Sequence, residues 1–151
     1  MLVLAIINIS NNVFEEERSL KASMKVTSSQ DVKWSSSSEA MLATAATNGS
    51  IVLWDVHRMK PLRTIHEHER AVNKLSFSRV DHSILLSCSQ DGTCKLWDIR
   101  AMQNAKSTFR GYCESARDVQ AHPLNSFQFI AAFETGDIQV ELQFELLDLG
   151  H

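Results

Sequence analysis

Asn48-Gly49 and Asp91-Gly92 lie 43 residues apart, and five residues after each glycine comes Trp-Asp, at Trp54-Asp55 and Trp97-Asp98. Before each turn runs a small apolar segment, in Leu42–Val56 (LATAATNGSIVLWDV) and Leu85–Arg100 (LLSCSQDGTCKLWDIR). Each stretch therefore reads as two short strands joined by a tight hairpin. The Asx-Gly pair suits a two-residue type I′ turn, whose central residues both take positive φ, a conformation Asn, Asp and Gly tolerate. The apolar runs are nearly continuous rather than alternating, which marks strands covered on both faces. A weaker copy follows in Phe129–Val140 (FIAAFETGDIQV), where Gly136 lies 44 residues after Gly92. There Thr135 stands in the Asp place and Glu141-Leu142 where Trp-Asp would be.

A repeat of roughly 40–45 residues ending in Trp-Asp resembles the blade of the WD-repeat family, a four-stranded sheet stacked in a β-propeller. Such a sheet cannot bury both faces by itself, so neighbouring blades must supply the cover. The other strands fall at matching intervals. Ser28–Trp34, Val72–Ser78 and Arg117–Gln120 read as first strands, and Leu62–Ile65 and Lys106–Arg110 as outer strands. Ser35–Ser38, His57–Lys60, Asp81–Ser83 and Ala101–Ala105 read as loops. No segment has the period of a long amphipathic helix. The expected class is all-β, a partial, open propeller of about two full blades with partial units at both ends. Residues 30–140 carry the repeats, 1–29 the tail of a preceding blade and a loop, and 141–151 a divergent tail. Because a closed propeller needs about four blades or more, a chain of this length is expected to be a piece of a ring.

The resemblance also implies an internal hydrogen-bonded tetrad: His68, four residues before Val72, with Ser87, Asp91 and Trp97. A partial set, Thr44, Asn48 and Trp54, fits the preceding repeat, which has no His four residues before Val32. These residues join strands and turn inside a blade. The nominal Ser-His-Asp trio of Ser87, His68 and Asp91 comes without a GxSxG elbow, so no enzyme is expected. His66-Glu67-His68-Glu69 supplies two histidines but no third ligand at a recognisable spacing, and zinc needs three or four. Gly111 and Gly136 build no phosphate-cradling loop. The reading is of no catalytic residue, no metal and no cofactor.

Composition narrows the partners. The net charge of −3, without a Lys/Arg cluster, makes no electrostatic case for nucleic acid. Cys88, Cys94 and Cys113 are odd in number and lack CxxC spacing, which suits a reducing compartment. Met1–Ile9 is too short to span a bilayer and has no basic flank, so it reads as a buried strand rather than a targeting segment. Val13–Ala22, with Glu15-Glu16-Glu17 and Arg18, reads as a solvated loop, and Ser19–Val26 as an edge strand blunted by Lys21 and Lys25.

Four strings narrow the resemblance: LATAATNG at Leu42–Gly49, HERAVNKLSF at His68–Phe77, LLSCSQDG at Leu85–Gly92 and ESARDVQ at Glu114–Gln120. They are similar to the N-terminal propeller of a WD-repeat subunit of the GATOR assembly. That implies a non-catalytic scaffold whose partners are other protein subunits, in amino-acid signalling to TOR complex 1. It also implies a cytoplasmic protein recruited to the lysosomal surface, without membrane insertion or small-molecule substrate. The alternative is a substrate receptor of a cullin-type ubiquitin ligase. Trp97-Asp98-Ile99-Arg100 resembles the WDxR box of such receptors, with Arg100 as the adaptor contact.

Overall fold

In a computed structural model, residues 2–10, 13–22, 28–101, 103–111 and 115–142 are described, with backbone alone for 2–10, 13–22 and 141–142. Three antiparallel sheets follow one another along the chain. The first is ordered β3 (Ser29–Trp34), β4 (Met41–Ala46), β5 (Ser50–Asp55) and β6 (Lys60–His66). The second is β7 (Val72–Phe77), β8 (Ile84–Ser89), β9 (Thr93–Asp98) and β10 (Ser107–Arg110). The third holds β11 (Ala116–Ala121), β12 (Gln128–Phe133) and β13 (Ile138–Leu142). All pairings are between neighbours in the chain, so each sheet is a meander whose first strand is an edge. β7 packs against both β3 and β11, which brings the three first strands to a common inner edge. The array is open, as a partial propeller requires.

The continuous apolar runs are covered on both faces. β8 is buried at every position, and β9 at all but Asp98. Ala43, Ala45, Ile51, Leu53 and Ile65 of the first sheet join Val72, Leu75, Phe77, Leu85 and Trp97 in one core. The opposite face of the second sheet, Ile84, Leu86, Cys88, Cys94 and Leu96, joins Ala116, Val119, Phe129, Ala131 and Phe133 in another. The second sheet is thus the middle layer of a stack, and side chains alternating along its strands feed the two cores. Phe109 of β10 meets Phe129 edge-on at 4.9 Å between centroids.

Each inner strand carries a register shift at the same place in the repeat, between Ser29 and Asp31, Val72 and Lys74, and Ala116 and Asp118. A bulge adds a residue to one strand and turns the following side chains over. This explains why the buried residues of β7 run Val72, Leu75, Phe77 rather than at every second position.

Two expectations are corrected. The hairpins do not use a two-residue type I′ turn. Gly49 and Gly92 have φ of 83° and 80°, but Asn48 and Asp91 are absent from the positive-φ residues. The Gly92 amide donates to the Ser89 carbonyl at 3.2 Å, and the Gly49 amide to that of Ala46 at 3.2 Å. The loops are the three-residue kind, a tight turn closed by a left-handed glycine. The Asx residue is needed for its side chain rather than for positive φ. The second correction concerns Val13–Ala22, which is a strand, β2, paired along its length with β1 (Leu2–Ser10). Its charged run suggested a loop; the β-branched residues of β1 give it a partner that the run's own composition does not reveal. β1 and β2 form a two-stranded ribbon of their own rather than part of a four-stranded sheet. Met1, residues 23–27, Cys113 and residues 143–151 lie outside the described residues.

Candidate functional site

His68 lies in the loop between β6 and β7, Ser87 on β8, Asp91 in the β8–β9 turn and Trp97 on β9. The fold draws them into one line. The Trp97 indole Nε1–H donates to Ser87 Oγ at 2.9 Å. Ser87 Oγ lies 2.7 Å from His68 Nε2. His68 Nδ1 lies 2.9 Å from Asp91 Oδ2. A carboxylate only accepts, so Nδ1 carries the ring proton; Nε2 then accepts from the Ser87 hydroxyl. The line runs from the indole to the carboxylate without a break, and Thr93 Oγ1 also lies 3.2 Å from His68 Nδ1. Trp97 and Ser87 are fully buried, and His68 is 6% exposed.

Asp91 collects more donors than the line alone provides. The Thr93 amide reaches its Oδ1 at 2.9 Å, the Thr93 hydroxyl the same oxygen at 2.5 Å, and the Glu69 amide its Oδ2 at 3.0 Å. Burial works against the ionised carboxyl, yet the hydrogen bonds from His68 and Thr93 outweigh it and hold Asp91 well below the usual carboxylate range. The imidazole is enclosed, with Ser87 and Asp91 occupying its nitrogens. No access is left for a substrate, and the set ties loop, strand and turn together.

In the first sheet the partial set is divided. Trp54 Nε1 donates to Thr44 Oγ1 at 3.0 Å. Asn48 Oδ1 instead accepts from the amide and hydroxyl of Ser50, at 3.0 and 2.6 Å, closing its own turn. His66 is exposed at the end of β6, remote in role from His68, and no group of three or more metal-ligating side chains occurs among the described residues. Cys88 and Cys94 are direct cross-strand partners, and both are buried. Burial, with Cys94 adding to it, pushes the Cys88 thiol up, away from reactivity. Arg100 is exposed, and its guanidinium is folded onto Asp98, Nε to Oδ1 at 3.0 Å and Nη2 to Oδ2 at 2.7 Å. These hydrogen bonds draw the Asp98 carboxyl down to about 2.

Side chains that sequence reasoning passed over join the parts. Lys95 Nζ, mid-strand and buried, meets Glu67 Oε1 at 2.7 Å and Thr108 Oγ1 at 3.2 Å, while Glu67 Oε2 accepts the Ala105 amide at 2.7 Å. A lysine inside the apolar run Thr93–Trp97 was the available signal, since a buried cation needs a partner. Between sheets, Asp31 Oδ2 accepts the Leu75 amide at 3.0 Å, and Asn73 Nδ2 donates to the Ala116 carbonyl at 2.7 Å. Ser76 Oγ accepts the Ala121 amide at 3.1 Å.

With that geometry established, comparison places the chain among known proteins. Residues 59–98 match the family described as WD domain, G-beta repeat. That span runs from the end of the first sheet's third connection through β9 and contains His68, Ser87, Asp91 and Trp97. The β-propeller domain of Myceliophteria thermophila Cps50 (Swd1) superposes with a TM-score of 0.71 at 26% identity, over 79% of this chain and 37% of that one. The blades are WD repeats. The WD-repeat chain is 39% identical over 144 residues to the GATOR2 complex protein WDR24 of Danio rerio, which covers 91% of this chain and 18% of the relative. It is 40% identical over 138 residues to the Homo sapiens protein of the same name, covering 87% and 17%. It therefore spans less than a fifth of the length of these relatives. A chain in the crystal structure of the mitotic checkpoint complex, at 22% identity and TM-score 0.74, shares the fold. Among the described residues no helix is long and apolar enough to cross a membrane.

Proposed function

We propose that these WD repeats are a non-catalytic scaffold for protein–protein contact, within an assembly of the GATOR2 kind. The observation that supports this best is the similarity to the GATOR2 complex protein WDR24, which extends over most of the chain in animals as distant as zebrafish and human. The site is in keeping with it. His68, Ser87 and Asp91 serve the interior of a sheet, so the residues that resemble a catalytic trio are used for cohesion. Contact surfaces then fall to loops and strand edges, which a rigid stack presents in fixed relation. In this reading residues 30–140 are the functional unit and 1–29 and 141–151 its flanks. The signal served is amino-acid sufficiency relayed to TOR complex 1, with the cytoplasmic chain recruited to the lysosomal surface by its partners.

The cullin-receptor reading stays second. Arg100 is on the surface, but its guanidinium is bound to Asp98, and no observation beyond the four-residue resemblance favours an adaptor there.

Affinity purification of the tagged chain from cells, read by mass spectrometry, tests both. The proposal expects other propeller subunits of the assembly to be enriched over an unrelated WD-repeat control. Their absence overturns it. Recovery of a cullin adaptor that disappears with Arg100→Ala establishes the second reading instead.

A further inference from the structure

The loop between β3 and β4 carries four consecutive serines, Ser35–Ser38, followed by Glu39. Ser36 is the one that leaves its own sheet. Its hydroxyl donates to the Ser78 carbonyl at 2.6 Å and lies 3.2 Å from His82 Nδ1, both in the β7–β8 connection. Ser36 also lines a cavity of about 440 Å3 between the inner edges, together with Lys33, Arg79 and Trp34. Asp118 lines it as well. An exposed hydroxyl thus stands at the joint of two blades, beside an imidazole and on the wall of a cavity that Lys33, whose ammonium lies 4.0 Å from Asp31, and Arg79 also line.

We propose that Ser36 is a phosphorylation site and that this cationic cavity holds the phosphoserine. Of the four serines, only Ser36 has a carboxylate three residues ahead, Glu39. That spacing is what an acidophilic serine kinase reads. In the transfer, Ser36 Oγ forms a bond to the γ-phosphorus of ATP and the β–γ bridging bond breaks. ADP leaves and the hydroxyl proton goes to solvent. The modified oxygen can no longer donate to the Ser78 carbonyl. Its phosphoryl oxygens, carrying −1.5 to −2 charges near pH 7, turn towards Lys33, Arg79 and His82, exchanging one neutral hydrogen bond for charge-assisted ones across the same joint. The site is independent of which partner the scaffold binds.

The test uses the full chain, ATP and a purified acidophilic serine kinase, with peptide mapping by mass spectrometry. One phosphate on Ser36 is expected, lost in Ser36→Ala and added several-fold more slowly to Glu39→Gln, which leaves the Ser36 contacts intact. Phosphorus NMR then follows the second ionisation of the phosphoserine. In the folded chain it should titrate at lower pH than in a phosphorylated peptide of residues 30–44, and Arg79→Ala should move it back towards the peptide. No phosphate on Ser36 overturns the proposal. So does phosphate on Ser36 that titrates as in the peptide, because the cavity would then not hold it.

Discussion

Asp91 concentrates more of the second blade's cohesion than any other polar residue. It terminates the line from Trp97 through Ser87 and His68, and it ties down the Glu69 and Thr93 amides. Asp91→Ala strands those donors in a nearly dry site, at a cost of about 1–3 kcal/mol. Denaturant titration should show that loss, and an unchanged midpoint would show that the line contributes nothing. The same carboxyl makes stability depend on pH. Its folded pKa is depressed. Its contribution is therefore complete above the ordinary carboxylate value near 4 and is lost as pH falls through and below it. Acid unfolding of the native chain should be steeper in that window than acid unfolding of Asp91→Ala. The set was legible only through the resemblance to WD repeats, which implies a histidine, a serine and an aspartate at those positions around the tryptophan; residue types and spacing alone do not link them. What Asn48 does was not legible. In the first blade Asn48 binds the amide and hydroxyl of Ser50 as Asp91 binds those of Thr93, but no histidine lies four residues before Val32 to extend the line.

At the scale of elements, the glycines of the turns separate conformational strain from collision. Gly49 and Gly136 both have left-handed backbones, φ 83° and 89°. A Cβ on Gly49 would lie 2.3 Å from the His68 carbonyl oxygen and 3.0 Å from that of Arg70, whereas one on Gly136 meets nothing within 4 Å. Gly136→Ala should cost about 1–2 kcal/mol, the price of a left-handed alanine. Gly49→Ala should cost clearly more, because backbone carbonyls cannot move aside. Parallel thermal melts of the two variants check the difference, and equal losses would mean the loop yields. The turn of one blade is therefore seated on the loop that carries His68 into the next. The strands and hairpins were readable because the 43-residue period and the apolar runs are local. The repeated bulge at Asp31, Lys74 and Asp118 was not, and neither was the capping of the Leu75 amide by Asp31. These depend on which side chain reaches which backbone group in a different sheet, and spacing in one strand holds no record of that.

For the molecule as a whole, the stack is asymmetric in what its third sheet leaves uncovered. Phe129, Ala131 and Phe133 point into the second sheet, so their neighbours point the other way. Ile130 is 43% exposed, Ile138 67% and Val140 66%, and Ile130 and Val140 are cross-strand partners on one face. On the second sheet the equivalent positions are closed by the adjoining blade. A patch of β-branched residues on a flat sheet invites another sheet, since covering it releases water at about 25 cal/mol per Å2 of apolar surface. The chain by itself should therefore associate as its concentration rises. Ile138→Lys with Val140→Lys should abolish that association, because two ammonium groups on the face repel a second copy and cannot be buried without partners. Neither residue belongs to the two cores, so the double variant should keep the β-sheet circular dichroism and melting temperature of the parent. Sedimentation velocity over a hundredfold range of concentration decides the matter. A parent chain that stays monomeric throughout would mean that the exposed face tolerates water, and that stacking in this fold is driven by the buried layers and their polar ties rather than by the apolar surface of each sheet.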